Sequence, residues 1–215
     1  MIKLFKLFII NIKNYGYLNS IKILFFELIG LIQYFNYKEF TFIEEDKTSY
    51  SNSKKFDTYN TAYIPTPYYF LYLINSQLKF KKMGQCRFID LGCGYSRPAN
   101  YFISKQKKIN YLGIDIYHYD KNKKKGYKIL KKDLRNFKKT KIILDQFIKK
   151  NQNNVIFLSD PFDVKLVFKI LNFLNLKEKK FFTVLINVNK NIINKDFRLI
   201  YLKNFNQRSI KIYKN

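Results

Sequence analysis

The chain of 215 residues has no Trp, four Pro, seven Gly, two Cys and a single His. Each scarcity removes a class of protein. Cys86 and Cys93 cannot build a disulfide framework and lack zinc-ligand spacing, so both read as free thiols of a reducing cytoplasm. With His118 as the only histidine and no paired cysteines, no metal centre is expected. A lone His in a Lys-rich loop reads as exposed. There is no internal repeat and no Pro- or Gly-rich tract. The Lys121 to Lys125 run is the only low-complexity piece and reads as a solvated loop. The apolar runs fall short of the roughly 20 residues a membrane span requires. Lys3 and Lys6 interrupt the first of them, no small-residue cleavage site follows it, and a signal peptide is not expected.

Acidic residues are also few, 15 against 41 basic ones, for a formal charge of +26. Such a balance ordinarily points to nucleic acid or to an anionic membrane surface. The chain is at the same time crowded with Lys, Asn, Ile, Phe and Tyr and poor in Ala, Gly, Pro and Arg. That is the signature of an A+T-rich genome, which enriches lysine without any anionic partner. Arginine, the better phosphate fork, is scarce. A hydrophobic fraction of 47% supports a sizeable core, and the length suits one domain with an appendage.

The most informative stretch is Phe88-Ile89-Asp90-Leu91-Gly92-Cys93-Gly94-Tyr95-Ser96-Arg97. An apolar strand meets an acid, and glycines follow at i+2 and i+4, where the backbone can turn tightly and a ligand can approach bare peptide groups. A dinucleotide fingerprint would place a third glycine at Arg97 and has no need of the preceding acid. Asp115 ends a second apolar run, Tyr111 to Ile114, where an acid can hydrogen-bond ribose hydroxyls. Val155 to Asp163 is a further strand ending in Asp160-Pro161-Phe162. Upstream lies Tyr63-Ile64-Pro65-Thr66-Pro67.

In order and spacing these segments resemble class I S-adenosylmethionine-dependent methyltransferases, in particular small bacterial ones with a Tyr-x-Pro-Thr-Pro segment. The resemblance covers roughly residues 59 to 190. It implies a Rossmann-like α/β fold, a mostly parallel sheet with a C-terminal antiparallel hairpin, and S-adenosylmethionine as methyl donor. It also implies roles. Gly92 and Gly94 would approach the donor's amino-acid and ribose portions, and Asp90 would hold the turn or bind its ammonium. Asp115 would bind the ribose and Asp133 would lie near the adenine amine. Tyr63 and Thr66 would border the donor, and Asp160, Pro161 and Phe162 would face the methyl. The chain departs from the family at Ser96, which replaces the third glycine, and in the short segment Ile116 to Gly126, where a crossover helix would be truncated or missing. The missing second Pro of Asp-Pro-Pro-Tyr lowers a nucleic-acid base as acceptor. A protein side chain or small molecule is favoured, and a non-enzymatic scaffold is the competing class.

Strands are expected near 86–90, 110–115, 127–131, 155–159 and 181–188, with a final hairpin from 197–201 and 209–213. Helices are expected from Pro98 to Lys105, Ile142 to Lys150 and after Asp163. Thr66 and Pro67 would open another, as N-cap and first helical residue, with Gly84 as a stop. Arg97 suits either a carboxylate ligand or its own helix. Residues 1–58 read as a helical extension and linker, ahead of the methyltransferase domain at 59–215. Within the extension, Ser20 would cap a helix from Ile21 to about Phe35, interrupted by Lys22, Glu27 and Gln33. Residues 36 to 60 read as a linker or lid. The apolar surface of residues 1–35 requires cover; the segment is expected to fold against the core and help shape the acceptor side of the pocket, with a partner or a peripheral membrane contact as the alternative covers.

Overall fold

A computed structural model describes residues 9, 11–34, 66–94, 96–106, 108–116, 127–159, 164–176, 180–188 and 196–215. Its centre is a seven-stranded sheet in the order β3-β2-β1-β4-β5-β7-β6. The strands are β1 (Cys86–Leu91), β2 (Ile109–Asp115), β3 (Tyr127–Lys131), β4 (Asn153–Ser159), β5 (Phe182–Ile186), β6 (Arg198–Asn204) and β7 (Ser209–Lys214). The first five are mutually parallel, and β7 enters antiparallel between β5 and β6. The mostly parallel sheet with a terminal antiparallel hairpin is therefore present as expected. The linker at 36–60 and all but Ile116 of the short crossover lie outside the described residues.

Alternation along the strands divides the core into two layers. Phe88, Tyr111, Val155 and Phe157 face one side. Ile89, Leu112, Ile156 and Leu158 face the other. Helices α1 (Tyr17–Tyr34), α2 (Tyr68–Leu78) and α3 (Arg97–Lys105) belong to the first side. Helices α4 (Phe137–Phe147) and α5 (Val164–Leu176) cover the second. The first layer is unusually aromatic: Phe88 stacks on Tyr111 at 5.7 Å, and Tyr111 on Tyr127 at 5.2 Å.

Several boundaries differ from the sequence reading, each for a local reason. Helix α1 starts at Tyr17, directly after Gly16 at φ +80°, so Ser20 lies inside it and its hydroxyl donates to the Gly16 carbonyl at 2.8 Å. Pro67, not Thr66, is the residue preceding α2, and it makes no side-chain cap. Helix α2 stops at Leu78 because Lys79 turns left-handed and donates its N–H to the Asn75 carbonyl, short of Gly84. Helix α4 begins five residues early, where Asn136 accepts from the Lys139 N–H at 3.3 Å.

Helix α1 is fastened to the core through polar contacts as well as apolar ones. Glu27 accepts from the Tyr68 N–H and from Arg97 Nη1, both at 2.8 Å. The Arg97 guanidinium also lies 4.6 Å from the Tyr68 ring centroid. Where α1 crosses this ring it carries Gly30: a Cβ there would come within 2.3 Å of Tyr68. Phe26 adds ring contacts with Tyr69 and Tyr72. Arg97 is thus a structural tie to the N-terminal helix, not a cap of its own.

Candidate functional site

In an open parallel sheet a ligand crevice forms beyond the carboxyl ends of the strands, where the strand order reverses. Here that point lies between β1 and β4. The Asp90-Leu91-Gly92-Cys93-Gly94 segment leaves β1 at this point. Gly92 has φ +79° and Gly94 φ +47°, a conformation that costs an L side chain about 1–2 kcal/mol. The turn is held on β2: the Gly92 N–H donates to the Ile114 carbonyl at 2.8 Å, and the Gly94 N–H donates to Asp115 Oδ2 at 2.9 Å. Among the described residues nothing lies within 4 Å of the position a Gly92 Cβ would take. Bare, exposed backbone beside an acid at the end of β2 is the arrangement a small ligand with a ribose could approach.

Asp90 lies beneath the turn, almost fully buried. Tyr111 Oη donates to its Oδ2 at 2.6 Å. Burial pushes the Asp90 carboxyl up to about 7, offset in part by the Tyr111 hydrogen bond and increased by the charge of Asp115. Burial likewise raises the Cys93 thiol and the Tyr111 phenol well above their ordinary values, with the Asp90 charge adding to both. Cys93 is therefore an inert thiol packed under the turn. Its Sγ would lie 2.7 Å from a Cβ on Gly113, so that glycine makes room for it.

Ser96, the residue in place of a third glycine, precedes α3 in the left-handed region at φ +56°. Its hydroxyl is fully buried. It lies near enough to the Cys93 thiol and the Tyr111 phenol to oppose part of the burial effect on each, yet it meets hydrogen-bonding geometry with neither. A left-handed residue with a Cβ and an unsatisfied buried hydroxyl are both destabilising. Ser96→Gly is therefore expected to raise unfolding free energy by about 1–2 kcal/mol, read as a shift of the urea midpoint at unchanged slope.

Thr66 reaches the end of β4, where its Oγ1 donates to Ser159 Oγ at 2.9 Å, and its carbonyl accepts from Arg97 Nη1 at 3.3 Å. The residue read as a helix cap instead joins the segment before α2 to the strand that leads into Asp160. The end of β3 is joined to that of β2 by the Lys132 N–H, which donates to the Asp115 carbonyl at 2.7 Å. Asp133 follows, and both its carboxylate oxygens accept from Arg135 Nε, at 3.0 and 2.9 Å. Hydrogen bonding from Arg135 holds its carboxyl below the ordinary value. Tyr63, Asp160, Pro161 and Phe162 lie outside the described residues, as does His118. Among the described residues no group of His, Cys, Asp and Glu is placed to hold a metal ion.

The structure thus brings Asp90, Gly92, Gly94 and Asp115 to one place, with Thr66 at the neighbouring strand end. Sequence reasoning missed Tyr111 as the partner of Asp90. The available signal was its place on β2, opposite Phe88 and two residues from the partner of Asp90 in the parallel register.

No family model matches the sequence, and no curated protein matches it. Solved structures do. The rRNA methyltransferase aviRa from Streptomyces viridochromogenes superposes with a TM-score of 0.50 at 9% identity, over 73% of this chain and 89% of that one. The Escherichia coli protein yhhF gives 0.49 at 12% identity, over 71% and 87%. The MycE methyltransferase of the mycinamycin biosynthetic pathway, solved with Mg and SAH, gives 0.48 at 10% identity, over 66% of this chain. The chain spans 45% of the length of MycE. At 9% identity the likeness to aviRa is one of fold alone, a Rossmann-like α/β sheet that is mostly parallel with an antiparallel C-terminal hairpin.

Proposed function

We propose that the protein is an S-adenosylmethionine-dependent methyltransferase. The observation that carries the reading is the glycine turn at the switch point, open above Gly92 and fastened to Asp115 through the Gly94 N–H. S-adenosylmethionine supplies a methyl already activated by its sulfonium, so the protein's task is to align donor and acceptor. Gly92 and Gly94 present backbone to the donor, and Asp115 offers its carboxylate to the ribose hydroxyls. Asp90 supports the turn from below through Tyr111. Asp133 belongs to the adenine side, and Tyr63 and Thr66 border the donor. Asp160, Pro161 and Phe162 follow Ser159 and form the acceptor side, with a protein side chain or a small molecule as acceptor.

Calorimetric titration of the purified chain with S-adenosylmethionine and S-adenosylhomocysteine tests the reading. Saturable heat is expected for both. Asp115→Ala should weaken binding by about 1–3 kcal/mol through loss of charge-assisted hydrogen bonds. No heat and no thermal shift at saturating ligand would refute the function and leave only the fold.

A further inference from the structure

Helix α1 has two dissimilar faces. Its inner face carries Ser20, Ile23, Glu27 and Gly30, all engaged with the core. Its outer face carries Leu18, Ile21, Phe25, Leu28 and Ile32, all exposed, from 43% at Ile21 to 80% at Ile32. Their spacing alternates between three and four residues, which places them on one stripe about 20 Å long at 1.5 Å per residue. A soluble monomer rarely leaves so continuous an apolar stripe in water.

We propose that this stripe seats the protein on an anionic phospholipid surface, with α1 lying flat in the headgroup region. Charge selects this occupant. The only carboxylate in α1, Glu27, is turned inward and neutralised by Arg97. The charged side chain left exposed on the helix is Lys22, and Lys13 lies exposed just before it. The chain as a whole carries +26. An anionic bilayer attracts such a body, whereas a second copy brought face to face with the first would add like charge to like charge. Spanning the bilayer is not available to α1. Among the described residues no helix is long and apolar enough to cross a membrane, and the buried Glu27–Arg97 pair keeps the inner face on the protein. The core and the membrane are thus not competing covers for the N-terminal segment, since each takes one face of the same helix.

The test is flotation of the full-length protein with phosphatidylcholine vesicles and with phosphatidylcholine–phosphatidylglycerol vesicles, alongside sedimentation without lipid. The protein should float with the anionic vesicles at low salt and at least about tenfold less with the neutral ones. Leu28→Glu with Ile32→Glu should reduce anionic binding about tenfold or more with an unchanged melting temperature, since both side chains already face solvent. Lys22→Glu, which leaves the apolar stripe intact, should also weaken it. Protein that remains in the aqueous fraction with anionic vesicles overturns the proposal. So does equal flotation with neutral vesicles, or flotation of the variants like the wild type. A lipid-free dimer that Leu28→Glu dissociates, without flotation of the wild type, would assign the stripe to a second copy instead.

Discussion

Arg97→Ala is expected to lower the unfolding free energy by about 3–5 kcal/mol, the range for removing one partner of a buried ion pair. The Arg97 side chain is 3% exposed and that of Glu27 17%, so little solvent screens the pair. Among the described residues the guanidinium engages the Glu27 carboxylate, the Thr66 carbonyl and the face of Tyr68. Truncation would leave Glu27 with only the Tyr68 N–H beside it, a charge largely out of water without a counter-charge. Glu27→Gln should be costly as well, because its single carbonyl oxygen cannot serve both the Tyr68 N–H and Arg97 Nη1, and the buried guanidinium loses its counter-charge. Arg97→Met combined with Glu27→Leu should recover much of the loss, since a well-packed apolar pair can replace a buried ion pair. Urea unfolding of the four proteins measures this. If Arg97→Ala unfolds at the wild-type midpoint, α1 is held by its apolar contacts alone. Because Arg97 also holds the Thr66 carbonyl, and Thr66 holds Ser159, the variant should loosen the carboxyl end of β4 as well.

What the sequence makes legible is the part of the fold set by local periodicity. The apolar runs at Phe88, Tyr111 and Val155 are short and follow helical segments, which suffices for parallel strands with helices between them. The tail is legible for the same reason: two alternating runs flank Asn204 to Gln207, and they form β6 and β7. The glycine turn is legible because only a few residue types tolerate its backbone. What escapes is set by partners distant in sequence. Glu27 reads as a blemish in an apolar helix, yet it is the anchor of that helix, and its partner lies 70 residues away. Nothing in the sequence around Gly30 shows that a Cβ there would come within 2.3 Å of the Tyr68 ring. Thr66 has the local chemistry of a cap, and a hydroxyl 93 positions away claims it instead. Tertiary partners override local preference at each of these residues.

The pH dependence of stability should carry the mark of Asp90. In the folded protein its carboxyl titrates at about 7, against an ordinary value of 3.8, chiefly because it is buried. Below about pH 4 it is protonated whether the chain is folded or not, and its burial as a neutral acid costs nothing extra. As pH rises the unfolded chain loses this proton first, so the folded state is disfavoured progressively until its own carboxyl ionises near pH 7. At about 1.4 kcal/mol per unit of displacement, the stability lost across this interval is on the order of 4 kcal/mol. Asp90→Asn keeps the shape and can still accept from Tyr111 Oη, but it has nothing to titrate. The difference in unfolding free energy between Asp90→Asn and wild type should therefore grow in favour of the variant from about pH 4 to pH 7 and level off above. Any fixed cost of the new amide group shifts that difference by the same amount at every pH and leaves its slope unchanged. Parallel pH profiles for the two proteins would mean that the Tyr111 hydrogen bond compensates burial completely and that Asp90 is ionised throughout. A sloping difference would identify Asp90 as an acid held beneath the glycine turn against the preference of the fold, a sacrifice of stability that proteins concentrate at functional sites.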